Sequence, residues 1–210
     1  MSKLLYIQAS PRGQRSYCAA VADAFIEAYS LQHPDDEIIV LNVFNARIPD
    51  FDGLAVQAKY TILHGQSHSK EELKVWKKIE KVIDQFKAAD KYLLAVPMWN
   101  FGIPYRLKQY IDILVQPGYT FSYSKDTGYQ GLLKGKPLMV VYARGGAYPP
   151  ATPAEVYDLQ KKYIELILGF IGFENIQSVV IEPTLEKGPD VAATKCQEAI
   201  EKIKGIAANF

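Results

Sequence analysis

The sequence predicts an α/β protein built on one doubly wound parallel sheet, and three observations carry that reading. Five apolar runs of strand length recur along the chain, amphipathic helical patterns separate them, and most of the runs are near-continuously apolar rather than alternating. Strands that alternate with helices at this spacing join by right-handed crossovers. Continuous apolar strands belong to a sheet covered on both faces, hence a parallel one.

The first strand is expected at residues 4–9, LLYIQA, followed by a helix over 16–31 in which Val21, Phe25 and Tyr29 recur at i, i+4 and i+8. IIVLNVF, 38–44, is the second strand. Residues 50–70 have weaker periodicity; they are expected to be irregular, with a short helix near 54–60, and to act as a mobile flap. A helix over 72–90 carries Leu73, Trp76, Ile79, Val82 or Ile83, and Phe86, with lysines and acids between them. YLLAV, 92–96, is the third strand, and the helix after it, 105–115, carries Leu107, Tyr110, Ile111 and Leu114. PLMVVYA, 137–143, is the fourth strand. Residues 153–171 are expected to form one helix, since Thr152 can cap it and Pro153 suits its first turn. IQSVVI, 176–181, is the fifth strand, and a last helix, 189–207, follows Gly188. Five strands rather than six favour the flavodoxin-like order 2-1-3-4-5, with helices on both faces. No repeat, low-complexity tract or linker divides the chain, so residues 1–210 read as a single domain.

Composition narrows the function classes. Hydrophobic residues make up 49% and charged residues 22%, and the formal net charge is +1. That balance gives no electrostatic case for nucleic acid or an anionic membrane as partner. Cys18 and Cys196 are too far apart for a metal spacing or a disulfide framework; both read as buried thiols in a reducing compartment. The apolar run after Lys3 is too short for a signal-peptide core, and no run approaches a membrane span. A soluble cytoplasmic protein is the expectation.

In a doubly wound sheet, ligands bind beyond the carboxyl ends of the strands, where strand order reverses. The loop after the first strand, ASPRGQRSYC, runs into a helix start, where free N–H groups and the helix dipole seat an anion. Ser10 and Ser16 bring hydroxyls, Arg12 and Arg15 bring charge, and Gly13 permits a tight turn. The spaced glycines of GxGxxG are absent, so a terminal phosphomonoester fits better than a pyrophosphate. By itself the loop equally fits an ordinary helix start capped by Ser16, with solvated arginines.

After the third strand comes PMWNFGIP. Pro97 ends the ladder and Pro104 opens the next helix. Between them Asn100 offers donors and acceptors to the polar edge of a heterocycle, while Met98, Trp99 and Phe101 cover its apolar body. The alternative is interior packing by Trp99 and Phe101. After the fourth strand, YARGGAYPP brings Arg144 and the Gly145–Gly146 pair, whose backbone can approach a ligand closely, or form a bland turn. His33, His64 and His68 lie at no expected strand end, and there is no GxSxG elbow or Walker loop. His64 and His68 are spaced i, i+4 without a third ligand and read as surface residues. A site without nucleophile or metal calls for a cofactor that brings its own chemistry.

Taken in order, ASPRGQRSY, VPMWNFGIPYRLKQYID, GYTFSY, LKGKPLMVVYARGG and LGFIGF resemble the FMN-dependent NADH-azoreductases, within the wider flavodoxin-like group of NAD(P)H:quinone reductases. The resemblance spans nearly the whole chain. It implies an FMN-binding homodimer that passes electrons from NADH or NADPH to quinones and azo compounds. Ser10, Arg12, Ser16, Tyr17 and Cys18 would hold the phosphate; Pro97, Met98, Trp99, Asn100 and Phe101 would line the flavin; Ala143, Arg144, Gly145 and Gly146 would meet its polar edge. Tyr123 and Phe170 match substrate-pocket positions. Cys18 stands where the phosphate loop usually ends in a hydroxyl, and Ala143 where many members have Ser or Thr, so both would act through their backbones. The expected mechanism is a two-step hydride transfer in which Arg144 and the two glycine amides stabilise charge on the reduced flavin. Competing readings are a nicotinamide-dependent FMN reductase, a flavodoxin-type electron carrier, which is usually smaller and more acidic, and a flavin-free interaction protein.

Overall fold

The computed structural model describes residues 1–210. Five parallel strands form the main sheet: β1 (Lys3–Gln8), β2 (Glu37–Asn42), β3 (Lys91–Pro97), β6 (Leu138–Ala143) and β7 (Ile176–Ile181), in spatial order β2-β1-β3-β6-β7. This is the expected 2-1-3-4-5 arrangement. The higher numbers arise because a two-stranded antiparallel hairpin, β4 (Phe121–Ser124) and β5 (Gly128–Gly131), is inserted after the third sheet strand.

Alternation along the strands divides the core between two faces. Leu4, Tyr6, Leu93, Ala95, Met139, Val141 and Ile181 face one way, against α1 (Tyr17–Gln32) and α6 (Pro189–Ala207). Leu5, Ile7, Tyr92, Leu94, Val96, Val140 and Tyr142 face the other, against α3 (Lys70–Lys87), α4 (Tyr105–Leu114) and α5 (Leu159–Phe170). Each fully buried side chain such as Phe25 or Ile79 contributes about 1.5–3 kcal/mol. Both faces of β3 and β6 are covered, which explains their unbroken apolar sequence. β2 departs from the expectation. It is an edge strand, with Ile39 and Val40 37% and 57% exposed, so its apolar run reflects strand propensity more than burial.

Three helical expectations are corrected. Residues 53–63 form a regular helix, α2, longer than the short one expected near 54–60 in an otherwise irregular segment: Asp52 caps it by accepting from the Leu54 and Ala55 amides at 3.1 and 3.0 Å. α2 docks on α3 through buried Ala55 and Ala58, through the Thr61 hydroxyl donating to Glu72 at 2.9 Å, and through His68 Nε2 at 2.8 Å from the Ala58 carbonyl. His68 is therefore half-buried rather than a surface residue. α3 starts two residues before the expected position because Ser69 and Glu72 form a reciprocal capping box. The expected helix over 153–171 is broken. Pro153–Tyr157 is a 3₁₀ turn, and α5 begins only after Asp158, whose carboxylate accepts from the Lys161 amide at 2.9 Å. The Thr152 hydroxyl turns back to Pro149 O instead of capping.

The hairpin lies across the end of α5. Gly131 and Gly172 make the approach: a Cβ on Gly131 would stand 2.3 Å from the Gly172 nitrogen, and Gly172 itself has φ +117. The Leu133 amide then reaches Ile171 O at 2.9 Å. Gly131→Ala is therefore expected to cost about 2–4 kcal/mol of unfolding free energy in a urea titration. A loss below about 0.5 kcal/mol would show that the crossing is not close-packed.

Candidate functional site

Three loops leave the carboxyl edge of the sheet where β1 and β3 diverge. The first follows β1. Gly13 takes φ +55 and opens a 3₁₀ turn, Gly13–Arg15, which delivers Ser16 as N-cap of α1. Ser16 Oγ accepts from the Ala19 amide at 3.4 Å. The amides of Tyr17 and Cys18, in the first turn, donate to no protein oxygen, and neither does that of Ser10. Ser16 therefore caps the helix, as an ordinary helix start requires, and the next two N–H groups are left without a protein acceptor. Ser10 and Ser16 are buried, while Arg12 and Arg15 are exposed. Burial pushes the Cys18 thiol up to about 11, so it stays neutral, with Sγ 3.2 Å from Ser16 Oγ. A neutral thiol beside an anion seat adds no repulsion.

The second loop is more regular than its sequence implies. The Trp99 and Gly102 backbones exchange hydrogen bonds at 3.0 and 2.9 Å around Asn100 and Phe101, whose φ values are +48 and +68. Two left-handed central residues define a type I′ turn. Asn tolerates that conformation, but Phe does not, and holding it costs about 1–2 kcal/mol. The usual hairpin signal, Gly at the second position, is absent, which is why the turn could not be read from the sequence. The strained turn lifts Asn100 and Phe101 into solvent, with Phe101 44% exposed, and the Asn100 carboxamide has no protein partner. The Phe101 ring rests beside Tyr157 at 5.0 Å, not in the interior.

In the third loop, three of the five backbone amides from Arg144 to Tyr148 are engaged. Arg144 N donates to Ile181 O at 3.0 Å, Ala147 N to Glu186 at 3.3 Å and Tyr148 N to Glu182 at 3.0 Å. The carbonyls of Arg144 and Gly145 accept from Thr184, Leu185 and Glu186. The amides of Gly145 and Gly146 alone in this run donate to nothing. The expectation for the Arg144 side chain is corrected. It is 2% exposed and fully committed: NH2 to Asp158 at 2.7 Å, NH1 to Glu182 at 3.3 Å and Nε to Gln160 at 2.9 Å. It holds the loop from behind, so its charge is spent on Asp158 and Glu182.

These loops enclose a cavity of about 430 Å³, within the range of small-ligand sites. Ser10, Arg12, Ser16, Tyr17, Cys18, Pro97, Met98, Trp99, Ala143 and Gly145 line it. Phe101, Arg144 and Gly146 stand behind or beside it. Asn100 borders a second, wider groove of about 1210 Å³ between the start of α2, α4 and α5, which shares Trp99 with the cavity. Tyr123 and Phe170 line neither: they form an aromatic cluster with Phe121 and Tyr129 on the hairpin, with centroids 4.9–5.6 Å apart. One wall was missed. Thr184, Leu185, Gly188 and Pro189, after β7, close the cavity opposite the shelf. The signal was present: this loop leaves the same sheet edge as the other three.

Two outcomes follow. Phe101→Gly is expected to cost under about 0.5 kcal/mol in chemical denaturation, because strain relief offsets the lost ring, whereas Phe101→Val costs about 1–2 kcal/mol. The reverse order would mean the turn is unstrained. Iodoacetamide labelling of Cys18 is expected to stay negligible at neutral pH and to rise only as the pH nears about 11, since burial disfavours the thiolate. Prompt labelling at neutral pH would contradict a buried, neutral thiol.

The flavodoxin-like fold family model matches residues 2–206. The chain is 53% identical over 210 residues, covering 100% of both chains, to the FMN-dependent NADH:quinone oxidoreductase of Nitratidesulfovibrio vulgaris. It is 47% identical to the protein of the same name from Desulfotalea psychrophila, over 98% of each chain. Among solved structures, it superimposes on an azoreductase from Bacillus anthracis with TM-score 0.90 at 30% identity, covering 100% of each chain. It also superimposes on an FMN-dependent NADH-azoreductase from Bacillus anthracis in complex with FMN, with TM-score 0.89 and 30% identity, over 100% of this chain and 99% of that one. The chain belongs to the FMN-dependent NADH:quinone oxidoreductases of the flavodoxin-like fold.

Proposed function

We propose that residues 1–210 act as one FMN-binding domain that oxidises NADH and reduces quinones and azo compounds. The carrying observation is the set of free backbone donors at the 430 Å³ cavity: Ser10, Tyr17, Cys18 and Gly145 all line it, and Gly146 follows Gly145 in the chain. Pro97, Met98 and Trp99 line the same cavity with apolar surface. That donor set fits FMN, whose phosphate, ring and carbonyl edge need an anion seat, a flat wall and N–H donors. When bound, FMN supplies the two-electron chemistry, accepting hydride from NADH and delivering it to the acceptor.

The chain's own residues bind and orient. The Tyr17 and Cys18 amides, with the Ser10 and Ser16 hydroxyls, take the phosphate, and Arg12 adds charge at the rim. Met98 and Trp99 support one ring face, and Asn100 reads its polar edge. The Gly145 and Gly146 amides, preorganised because their neighbours are engaged, face the developing negative charge.

The second reading within this proposal is the homodimer. The wide groove is lined by Phe51, Ile103, Tyr105, Leu159 and Leu166, with Tyr105 and Leu166 66% and 72% exposed. It borders Asn100, so a second copy seated there completes the wall of the site. Tyr123 and Phe170 line neither the cavity nor the groove, and a second subunit would bring a further wall to the site. A cytoplasmic setting fits the absence of any helix long and apolar enough to cross a membrane.

The purified protein is expected to bind FMN, to lose the flavin's visible absorbance on adding NADH anaerobically, and to turn over a quinone steadily with no protein partner. Bleaching without quinone turnover would favour an electron carrier; release of reduced flavin at each turnover would favour an FMN reductase. Asn100→Ala is expected to weaken FMN binding about tenfold, with a somewhat lower melting temperature because Asn100 has φ +48; unchanged affinity would remove Asn100 from the site. Sedimentation equilibrium is expected to give twice the chain mass, and a monomer at working concentration would contradict the dimer.

A further inference from the structure

The first turn of α5 grips two walls of the cavity without Gln160, its second residue, touching the cavity. Gln160 is fully buried, and both ends of its carboxamide are used. Nε2 donates to the Val96 carbonyl at 2.8 Å, immediately before Pro97 and the ring shelf. Oε1 accepts from Arg144 Nε at 2.9 Å, beneath the glycine loop. The orientation of the amide follows from its partners, because a carbonyl can only accept and a guanidinium can only donate. Arg144 carries the connection onward: Glu182 accepts from its NH1 at 3.3 Å and from the Tyr148 amide at 3.0 Å. Next to Gln160, the Leu159 amide donates to Phe101 O at 3.1 Å and ties down the strained turn.

A buried cation between two carboxylates, spanned by a buried carboxamide, is a poor way to gain stability, since apolar side chains of similar volume usually do as well or better. Its distinct property is geometric: each group has one satisfied position, and one carboxamide joins the end of β3 to the guanidinium, adding a side-chain brace to the backbone bond from Met98 N to Ala143 O at 2.8 Å. We infer that Gln160 is a positioning residue for the flavin ring, fixing the separation between the shelf at Met98–Trp99 and the free amides of Gly145 and Gly146. This inference rests on the proposed FMN site.

The test is equilibrium titration of apo-protein with FMN, together with visible circular dichroism of the bound flavin, for wild type, Gln160→Met and Gln160→Glu. Gln160→Met keeps volume and loses both hydrogen bonds; it is expected to bind FMN at least about tenfold more weakly and to change the flavin's dichroic band. Gln160→Glu distinguishes positioning from packing. When ionised, its carboxylate has no proton for Val96 O; when protonated, it regains the donor–acceptor pair of the amide. Arg144 favours the charged form, while Asp158, Glu182 and burial oppose it. Its affinity, as a ratio to wild type at the same pH, is expected to recover as pH falls from about 8.5 to about 5.5, a recovery Gln160→Met lacks.

Wild-type affinity and dichroism in both variants, even with lower melting temperatures, would overturn the inference. So would a Gln160→Glu ratio that does not change with pH. If Gln160→Met does not fold, the pH-dependent ratio decides alone. If wild type itself takes up no FMN, the functional proposal fails and this inference fails with it, an outcome distinct from binding unaffected by substitution.

Discussion

A backbone N–H taken out of water needs an acceptor, and the ligand end of this sheet is arranged around that requirement. Along the loop after β6, the amides of Arg144, Ala147 and Tyr148 are each assigned to a specific oxygen. Those bonds remove conformational freedom from the loop, so the donors left over, Gly145 and Gly146, point in fixed directions. At the start of α1 the same logic applies. Ser16 Oγ takes the Ala19 amide, and Tyr17 and Cys18 remain open beside the buried Ser10. The candidate site is defined by what the protein leaves unsatisfied, and the proposed FMN would supply the missing acceptors.

Holding such a surface needs a stiff support, which the two-faced core provides. β3 and β6 are buried on both sides, and their carboxyl ends carry the shelf and the glycine loop. The cost of the arrangement is concentrated in a few places. Phe101 adopts a left-handed backbone, and Arg144 is buried with two carboxylates and a carboxamide. Both lie next to the cavity, where strain and buried charge maintain geometry more than stability.

Much of this was legible in the sequence, for identifiable reasons. Sheet order followed from continuous apolar runs separated by amphipathic helices, and the strand–loop–helix junction rich in hydroxyls marked where the open amides of α1 lie. PMWNFGIP pointed to a ring shelf because its rings sit in a backbone that cannot extend the strand. What escaped detection depended on tertiary partners. The break before α5 exists because Asp158 caps the helix and binds Arg144, a pairing across 14 positions of chain. Arg144 read as a ligand contact because its partners, Gln160 and Glu182, are distant in sequence. The hairpin strands are four residues each, with Tyr123 and Tyr129 exposed, so no periodicity marks them. α2 lacks a strongly amphipathic pattern because it buries only alanines and a threonine.

The central claim is that the open amides at the start of α1 seat a phosphate while the other loops hold a flavin ring. Parallel titrations of the apo-protein with FMN and with riboflavin test it most directly, because the two ligands share the ring and differ in the phosphate. FMN is expected to bind about two orders of magnitude more tightly, the difference a few charge-assisted hydrogen bonds supply. Equal affinity for the two ligands would contradict it.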